Sequence, residues 1–144
     1  NDKTEIFEFG ELLNKIIARY ENNKITLSTN EKVNFNGRIN SIQRCITNIL
    51  NNATSYADKI DVTLKKTMNS ILIFVDDDGP GIPHNERENV LKPFYRIDES
   101  RSQNKSGVGL GLSISYDIIR SHGGNILLDT SPQKGLRVKI SLPF

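Results

Sequence analysis

The sequence predicts an α+β domain: one mostly antiparallel or mixed sheet covered on one face by about three helices, in two layers. Three observations predict it. Apolar residues recur at helical spacing in three separate blocks. Segments between those blocks alternate apolar and polar residues. The last such segment sets Arg137, Lys139 and Ser141 against Leu136, Val138, Ile140 and Leu142, as in a sheet with one solvated face.

Residues Thr4 to Glu8 alternate loosely and read as a short strand. Gly10 precedes a helical pattern with Leu12, Leu13, Ile16, Ile17 and Tyr20 on one face. A hairpin is expected next, with Ile25 and Leu27 on one arm, Val33 and Phe35 on the other, and Thr29 to Glu31 as its turn. The second helix buries Ile39, Ile42, Ile46, Ile49, Leu50 and Ala53. On it Asn48 and Asn52 stand four apart, one above the other. At about 100° per residue they fall roughly opposite the apolar stripe and look outward. Ile60, Val62 and Leu64 form an alternating strand, and a turn at Met68 and Asn69 makes it antiparallel to the next. That next strand, Ile71 to Val75, is a continuous apolar run, as burial on both faces would produce. It runs directly into Asp76, Asp77, Asp78, Gly79, Pro80 and Gly81. A polar, basic, Ser-rich stretch over 96–106 leads to Gly107-Val108-Gly109-Leu110-Gly111-Leu112, where a third helix starts. That helix is expected to turn Ile114, Ile118 and Ile119 inward and to stop at Gly123 and Gly124. A final hairpin pairs Ile126 to Leu128 with Leu136 to Leu142.

Composition narrows the function. The 144 residues suffice for one domain, 1–144, with a substantial core. Nineteen basic and 17 acidic residues leave a net charge of +2, which argues against a dedicated nucleic-acid binder. Cys45 is the sole cysteine, so neither a disulfide framework nor a Cys-based zinc site is available. The apolar run at 71–75 falls far short of the roughly 20 residues of a membrane span. No signal-peptide pattern is present. The chain opens on Asn1 and not on Met, so a piece of a longer protein is expected.

Three segments carry chemistry. Asp77 to Gly81 puts a carboxylate at a strand end, and its two glycines leave room for a flat ligand against the backbone. Taken alone, a solvated turn explains that segment as well. A calcium loop does not, because Pro80 and Arg87 would occupy ligand positions. The glycines at 107, 109 and 111 stand ahead of a helix, where backbone N–H groups and the helix dipole attract phosphate. No Gly-Lys-Ser/Thr follows, and a polar loop precedes them where the dinucleotide fingerprint needs a strand. The oxygens of Asn48 and Asn52 are neutral ligands suited to Mg²⁺, although a solvent-facing pair is the plainer reading of that feature alone.

The order of the motifs is more specific than any one of them. Asn48-Ile49-Leu50-Asn51-Asn52-Ala53, then Asp77-Asp78-Gly79-Pro80-Gly81, then Lys92-Pro93-Phe94-Tyr95-Arg96, then Gly107 to Leu112 resembles the ATP-binding catalytic domain of bacterial sensor histidine kinases, in the GHKL superfamily. The resemblance covers Phe7 to Phe144 and is most similar to the osmolarity-sensor (EnvZ) type. It implies the two-layer Bergerat ATP-binding fold, with ATP and Mg²⁺ as cofactors. It implies that Asp77 accepts the adenine amino hydrogen, that Gly79, Gly81, Ile82 and Tyr56 line the base pocket, and that Asn52 binds the metal. Asn48 would contact phosphate or its water. Gly107, Val108, Gly109, Leu110, Gly111 and Leu112 would cradle the phosphates. Residues 96–106 would form an ATP lid anchored by Phe94, with Arg96, Arg101 and Lys105 near the phosphates. Asn48, Asn52, Arg96 and Arg101 would be catalytic. One departure stands out: Ser55 occupies a position where the family often has Lys or Arg.

The implied reaction is γ-phosphoryl transfer to a histidine, which depends on positioning and charge stabilisation. Neither His84 nor His122 has the sequence context of a phosphoacceptor. The dimerisation and histidine phosphotransfer region is therefore expected to precede Asn1 in the same protein, with a response regulator receiver domain as the next partner. The isolated domain is expected to be a monomer, and to be the cytoplasmic part of an inner-membrane sensor. Related ATPases carry Glu where Asn48 stands. Asn48 cannot act as a general base, so slow hydrolysis and a transferase role are expected. A degenerate nucleotide-sensing or interaction module without phosphotransfer is the alternative, with Ser55 as the feature in its favour.

Overall fold

A computed structural model describes residues 3–21, 24–93 and 108–144. Its elements are β1 (Glu5–Glu8), α1 (Phe9–Ile17), β2 (Lys24–Ser28), β3 (Asn34–Gly37), α2 (Ile39–Tyr56), β4 (Lys59–Lys66), β5 (Ser70–Asp77), two 3-10 turns (His84–Glu86 and Asn89–Leu91), α3 (Val108–Ser121), β6 (Asn125–Thr130) and β7 (Leu136–Pro143). Five strands form one mixed sheet in the order β2-β4-β5-β7-β6. Only β2 runs parallel to its neighbour, β4; the remaining pairs are antiparallel. The core lies between this sheet and the helices. Ile60, Val62, Leu64, Ile71, Ile73, Val75, Val138 and Ile140 of the sheet meet Leu13 and Ile16 of α1, Ile42, Ile46 and Ile49 of α2 and Ile119 of α3 in one cluster. The two-layer α+β architecture predicted from the sequence is the one observed.

Local chemistry explains where the elements start and stop. The Glu8 carboxylate caps α1, accepting from the N–H groups of Gly10 (3.1 Å) and Glu11 (2.9 Å). It also accepts from Val33 N–H at 2.8 Å, which ties the helix start to the approach of β3. Burial pushes this carboxyl up, but the three backbone donors outweigh burial and hold it below its usual value. At the far end, α3 closes in a Schellman motif. Gly124 N–H donates to Ile119 O and Gly123 N–H to Arg120 O, with Gly123 at φ +82°.

Three expectations are corrected. First, β2 and β3 do not form a hairpin. β2 joins β4 in parallel, and β3 pairs antiparallel with β1 as a separate two-stranded ribbon. The reason is aromatic. Phe35 packs against Phe7 and Phe9 with ring centroids 5.9 and 5.8 Å away, so β3 is drawn to β1. Second, the apolar run of β5 is buried on one face only. Ile71, Ile73 and Val75 are buried, whereas Leu72 and Phe74 are half-exposed on the face without helices. There Phe74 is roofed by the Arg137 guanidinium at 4.6 Å and the ammonium groups of Lys65 and Lys139 at 5.8 and 6.0 Å. Third, the buried residues of α3 are Leu112, Ser113, Ser115 and Ile119; Ile114 and Ile118 are only half-buried. Ser115 is buried against α2, where its hydroxyl donates to Cys45 O at 2.8 Å.

Candidate functional site

The site is built from the flank of α2, the end of β5 and the start of α3. Along α2 the apolar stripe locks the helix onto the sheet, and the adjacent flank lies beside α3. Asn48 and Asn52 therefore do not look freely outward, as the helical angle alone suggests. Asn48 is half-buried, and Asn52 is only 8% exposed. Among the described residues no donor meets Asn52 Oδ1. A buried acceptor left in this state costs on the order of 1–3 kcal/mol, so this oxygen suits a bound cation or donor. The fit to Mg²⁺ is chemical: a hard neutral oxygen, for an ion that keeps waters and leans on phosphate oxygens. Among the described residues no group of three or more His, Cys, Asp or Glu side chains is placed to hold a metal.

The end of β5 places three aspartates with different fates. Asp76 points to the open face and makes a two-pronged pair with Arg137, at 2.7 Å to Nε and 2.9 Å to Nη2. The carboxylate beside it raises the Arg137 guanidinium above its usual value. Asp77 points to the helix side and is 5% exposed. Its Oδ1 accepts from the N–H groups of Gly79 (2.9 Å) and Leu136 (3.0 Å). Asp78 is exposed; its Oδ1 accepts from the N–H groups of Asp58 (2.9 Å) and Lys59 (3.0 Å). The Lys59 bond leads in holding its carboxyl below the usual value. Asp78 thereby fastens the end of β5 to the chain leaving α2.

The glycines close the contacts. A Cβ on Gly79 would sit 2.9 Å from the carbonyl oxygen of Tyr56, so the turn after β5 packs directly on the end of α2. Gly81 has φ +74° and faces the backbone of Gly135. Gly111, in the first turns of α3, faces the Cβ and carbonyl of Asn48, which a Cβ there would meet at 3.8 and 3.9 Å. Ile82 is 7% exposed and joins the core. Beyond it, Arg87 donates to Ile82 O (3.1 Å) and Thr130 Oγ1 (2.9 Å), and so staples this loop to β6.

Asn48, Asn52, Tyr56, Asp77, Gly79, Gly81, Gly111 and Leu112 are thus carried by three segments that converge. Val108, Gly109 and Leu110 belong to the first turn of α3. Phe94, Arg96, Arg101, Lys105 and Gly107, and with them the proposed lid, lie outside the described residues. Ser55 spends its hydroxyl on Asn51 O at 2.8 Å. His122 uses both ring nitrogens: Nδ1 meets Ile118 O at 2.9 Å and Nε2 accepts from Arg38 N–H at 3.1 Å. Burial pushes the Cys45 thiol up to about 12, which leaves it inert at neutral pH.

Sequence reasoning missed the residues that hold Asp77. Ser131 Oγ donates to Asp77 O at 2.6 Å and accepts from Gly135 N–H at 2.8 Å. A Cβ on Gly135 would collide with Asp77 O, Asp77 Oδ1 and Gly79 N. The signal was present only as a Ser-Pro-Gln-Lys-Gly turn between two strands.

Comparison with known proteins gives the following. The family model described as histidine kinase-, DNA gyrase B-, and HSP90-like ATPase matches residues 37–144. The sensor histidine kinase CpxA of Escherichia coli (strain K12) is 42% identical over 109 residues, 75% of this chain and 24% of that protein. The sensor protein RstB of the same strain is 39% identical over 104 residues, 72% of this chain and 24% of that protein. The chain thus spans about a quarter of the length of these relatives. Among solved structures, the catalytic domain of the histidine kinase ThkA superposes with a TM-score of 0.85 at 24% identity, covering 98% of this chain and 95% of that one. At that identity the likeness speaks for the fold.

Proposed function

This chain belongs to the histidine kinase-, DNA gyrase B- and HSP90-like ATPase family, and from that premise we propose that it binds Mg-ATP and presents the γ-phosphoryl group to a histidine. The acceptor is a dimerisation and phosphotransfer domain of the same protein, and a response regulator receiver domain takes the phosphoryl group next. The observation that carries this reading is Asn52 Oδ1, buried and without a donor among the described residues, on the helix that faces Gly111. A buried oxygen kept without a donor suits a cation or donor that arrives later.

In this reading each residue acts by placement. Asp77 accepts the adenine amino hydrogen. Its carboxylate is held by the N–H groups of Gly79 and Leu136, and its backbone carbonyl by the Ser131 hydroxyl, before the base arrives. Gly79 and Gly81 let the base approach the backbone, beside Ile82 and Tyr56. Asn52 holds the metal and Asn48 a phosphate oxygen or water. Gly107 and the first turns of α3, with Gly109 and Gly111, receive the phosphates on their N–H groups. Arg96, Arg101 and Lys105 add positive charge, and Phe94 anchors the lid. Mg²⁺, when bound, supplies charge neutralisation for the phosphate oxygens. Asn48 orients but takes no proton, so water is a poor acceptor and hydrolysis is slow.

The chain is proposed as one domain, 1–144, monomeric alone, and as the cytoplasmic part of an inner-membrane sensor. No described helix is long and apolar enough to cross a membrane. The osmolarity-sensor subtype rests on the motif pattern alone. A second reading, a nucleotide-sensing module without phosphotransfer, is favoured by Ser55, whose hydroxyl is spent on its own helix. Incubating this chain with γ-labelled ATP and a separately supplied dimerisation domain of a family kinase decides between them. Label on the acceptor histidine supports the transferase; bound ATP without label on any acceptor tested supports the sensing module.

A further inference from the structure

The contacts between α2 and α3 run antiparallel: hydrogen bonds join 38 with 122 and 45 with 115, and Gly111 faces Asn48. The central one is a reciprocal exchange in a fully buried seam. Ser115 Oγ donates to Cys45 O at 2.8 Å, and Cys45 Sγ donates to Ser115 O at 3.8 Å. Both residues are 0% exposed. Cys45 stands three residues before Asn48 and Ser115 four residues after Gly111, so the exchange lies about one turn from the place where the glycine helix meets the asparagine helix. Apolar side chains can slide along a neighbouring helix by small steps at little cost. A hydroxyl aimed at one backbone oxygen cannot, because its hydrogen bond weakens steeply with distance and angle.

We infer that Ser115 is a positioning residue of the nucleotide site: its hydroxyl sets the axial register of α3 on α2, and so the placement of Gly111 against Asn48 and Asn52. The inference rests on the nucleotide reading above for its functional consequence, and on the seam alone for its geometry. Ser115 touches no ligand in this account; it acts through the two helices.

The test uses this chain, wild type and with Ser115→Ala, Cys45→Ala and Ile119→Val, under calorimetric ATP titration, thermal melting and amide NMR without nucleotide. Ser115→Ala should weaken ATP binding about fivefold and move the amide resonances of Asn48, Asn52 and Gly111. Ile119→Val removes a methyl group from an equally buried position of α3, one turn further on. It should lower the melting temperature without either effect. Cys45→Ala keeps the Ser115 hydroxyl bonded to the same backbone oxygen and should bind ATP within about twofold of wild type. Equal losses of affinity in Ser115→Ala and Ile119→Val, or unmoved resonances in Ser115→Ala, would overturn the inference. If the wild type binds no ATP, the nucleotide reading fails, and the resonances alone decide whether Ser115 sets the register. If Ser115→Ala does not fold, Ser115→Cys, a weaker donor, replaces it with the same readings and a smaller effect.

Discussion

Asp77 is held in place from two sides of its own residue, at the carboxylate and at the backbone carbonyl. Its Oδ1 is bonded to two backbone N–H groups, and its own carbonyl takes the Ser131 hydroxyl. Gly135 is what permits this. Any side chain there would enter the space held by Asp77 and Gly79. Gly135→Ala should therefore destabilise the domain by roughly 1–3 kcal/mol through overpacking, read as a lower urea midpoint at unchanged slope. The folded fraction should also lose ATP affinity, because Asp77 is the group displaced. Normal stability in that variant would mean the turn relaxes away from Asp77. Neither Ser131 nor Gly135 was legible as a site residue in the sequence. They lie 54 and 58 positions from Asp77, and only the pairing of β5 with β7 brings them together.

Among the elements, the start of α1 is anchored by a residue outside the helix. Glu8 caps α1 and binds Val33 N–H, so one carboxylate joins β1, α1 and the approach to β3. Glu8→Ala should cost about 0.5–2 kcal/mol, the usual worth of such a cap. The pH dependence has a definite sign. The folded-state pKa lies below the ordinary value, so the stabilisation is complete above the ordinary carboxylate range and is lost as pH falls through the folded value. Urea titrations at neutral pH and at successively lower pH should therefore show the wild type and Glu8→Ala converging as pH falls through the folded value. A constant gap would assign the effect to packing. The helical and strand periods were legible because each reports its own burial, as the alternating β4 and β7 do. The pairing of β3 with β1 was not, since nothing local announces that Phe35 seeks Phe7 and Phe9. The run at 71–75 misled for a related reason. Phe74 and Leu72 look like core residues, but cation-bearing side chains cover one of them and no helix covers the other face.

For the whole molecule, the sheet and helices serve to bring three distant segments to one place. Three of the motifs were readable in the chain because each needs particular residue types at fixed local spacing: amides four apart on a helix, a carboxylate before glycines, and glycines at a helix start. Their convergence was not readable, because it depends on α2 lying against both the sheet and α3. Asn52 illustrates the gap. The sequence shows a carboxamide on a helix, and only the packed fold shows its oxygen buried with no donor among the described residues. In the proposed function this oxygen and Asp77 belong to one magnesium-linked adenine-nucleotide site. The most direct measurement is calorimetric titration of ATP and GTP into the wild type and Asn52→Ala, with Mg²⁺ and with a chelator. The wild type should prefer ATP over GTP and bind more tightly with Mg²⁺. Asn52→Ala should lose about tenfold in affinity when Mg²⁺ is present and little when it is chelated. Equal affinity for ATP and GTP, or an equal loss with and without the metal, would contradict the proposed function.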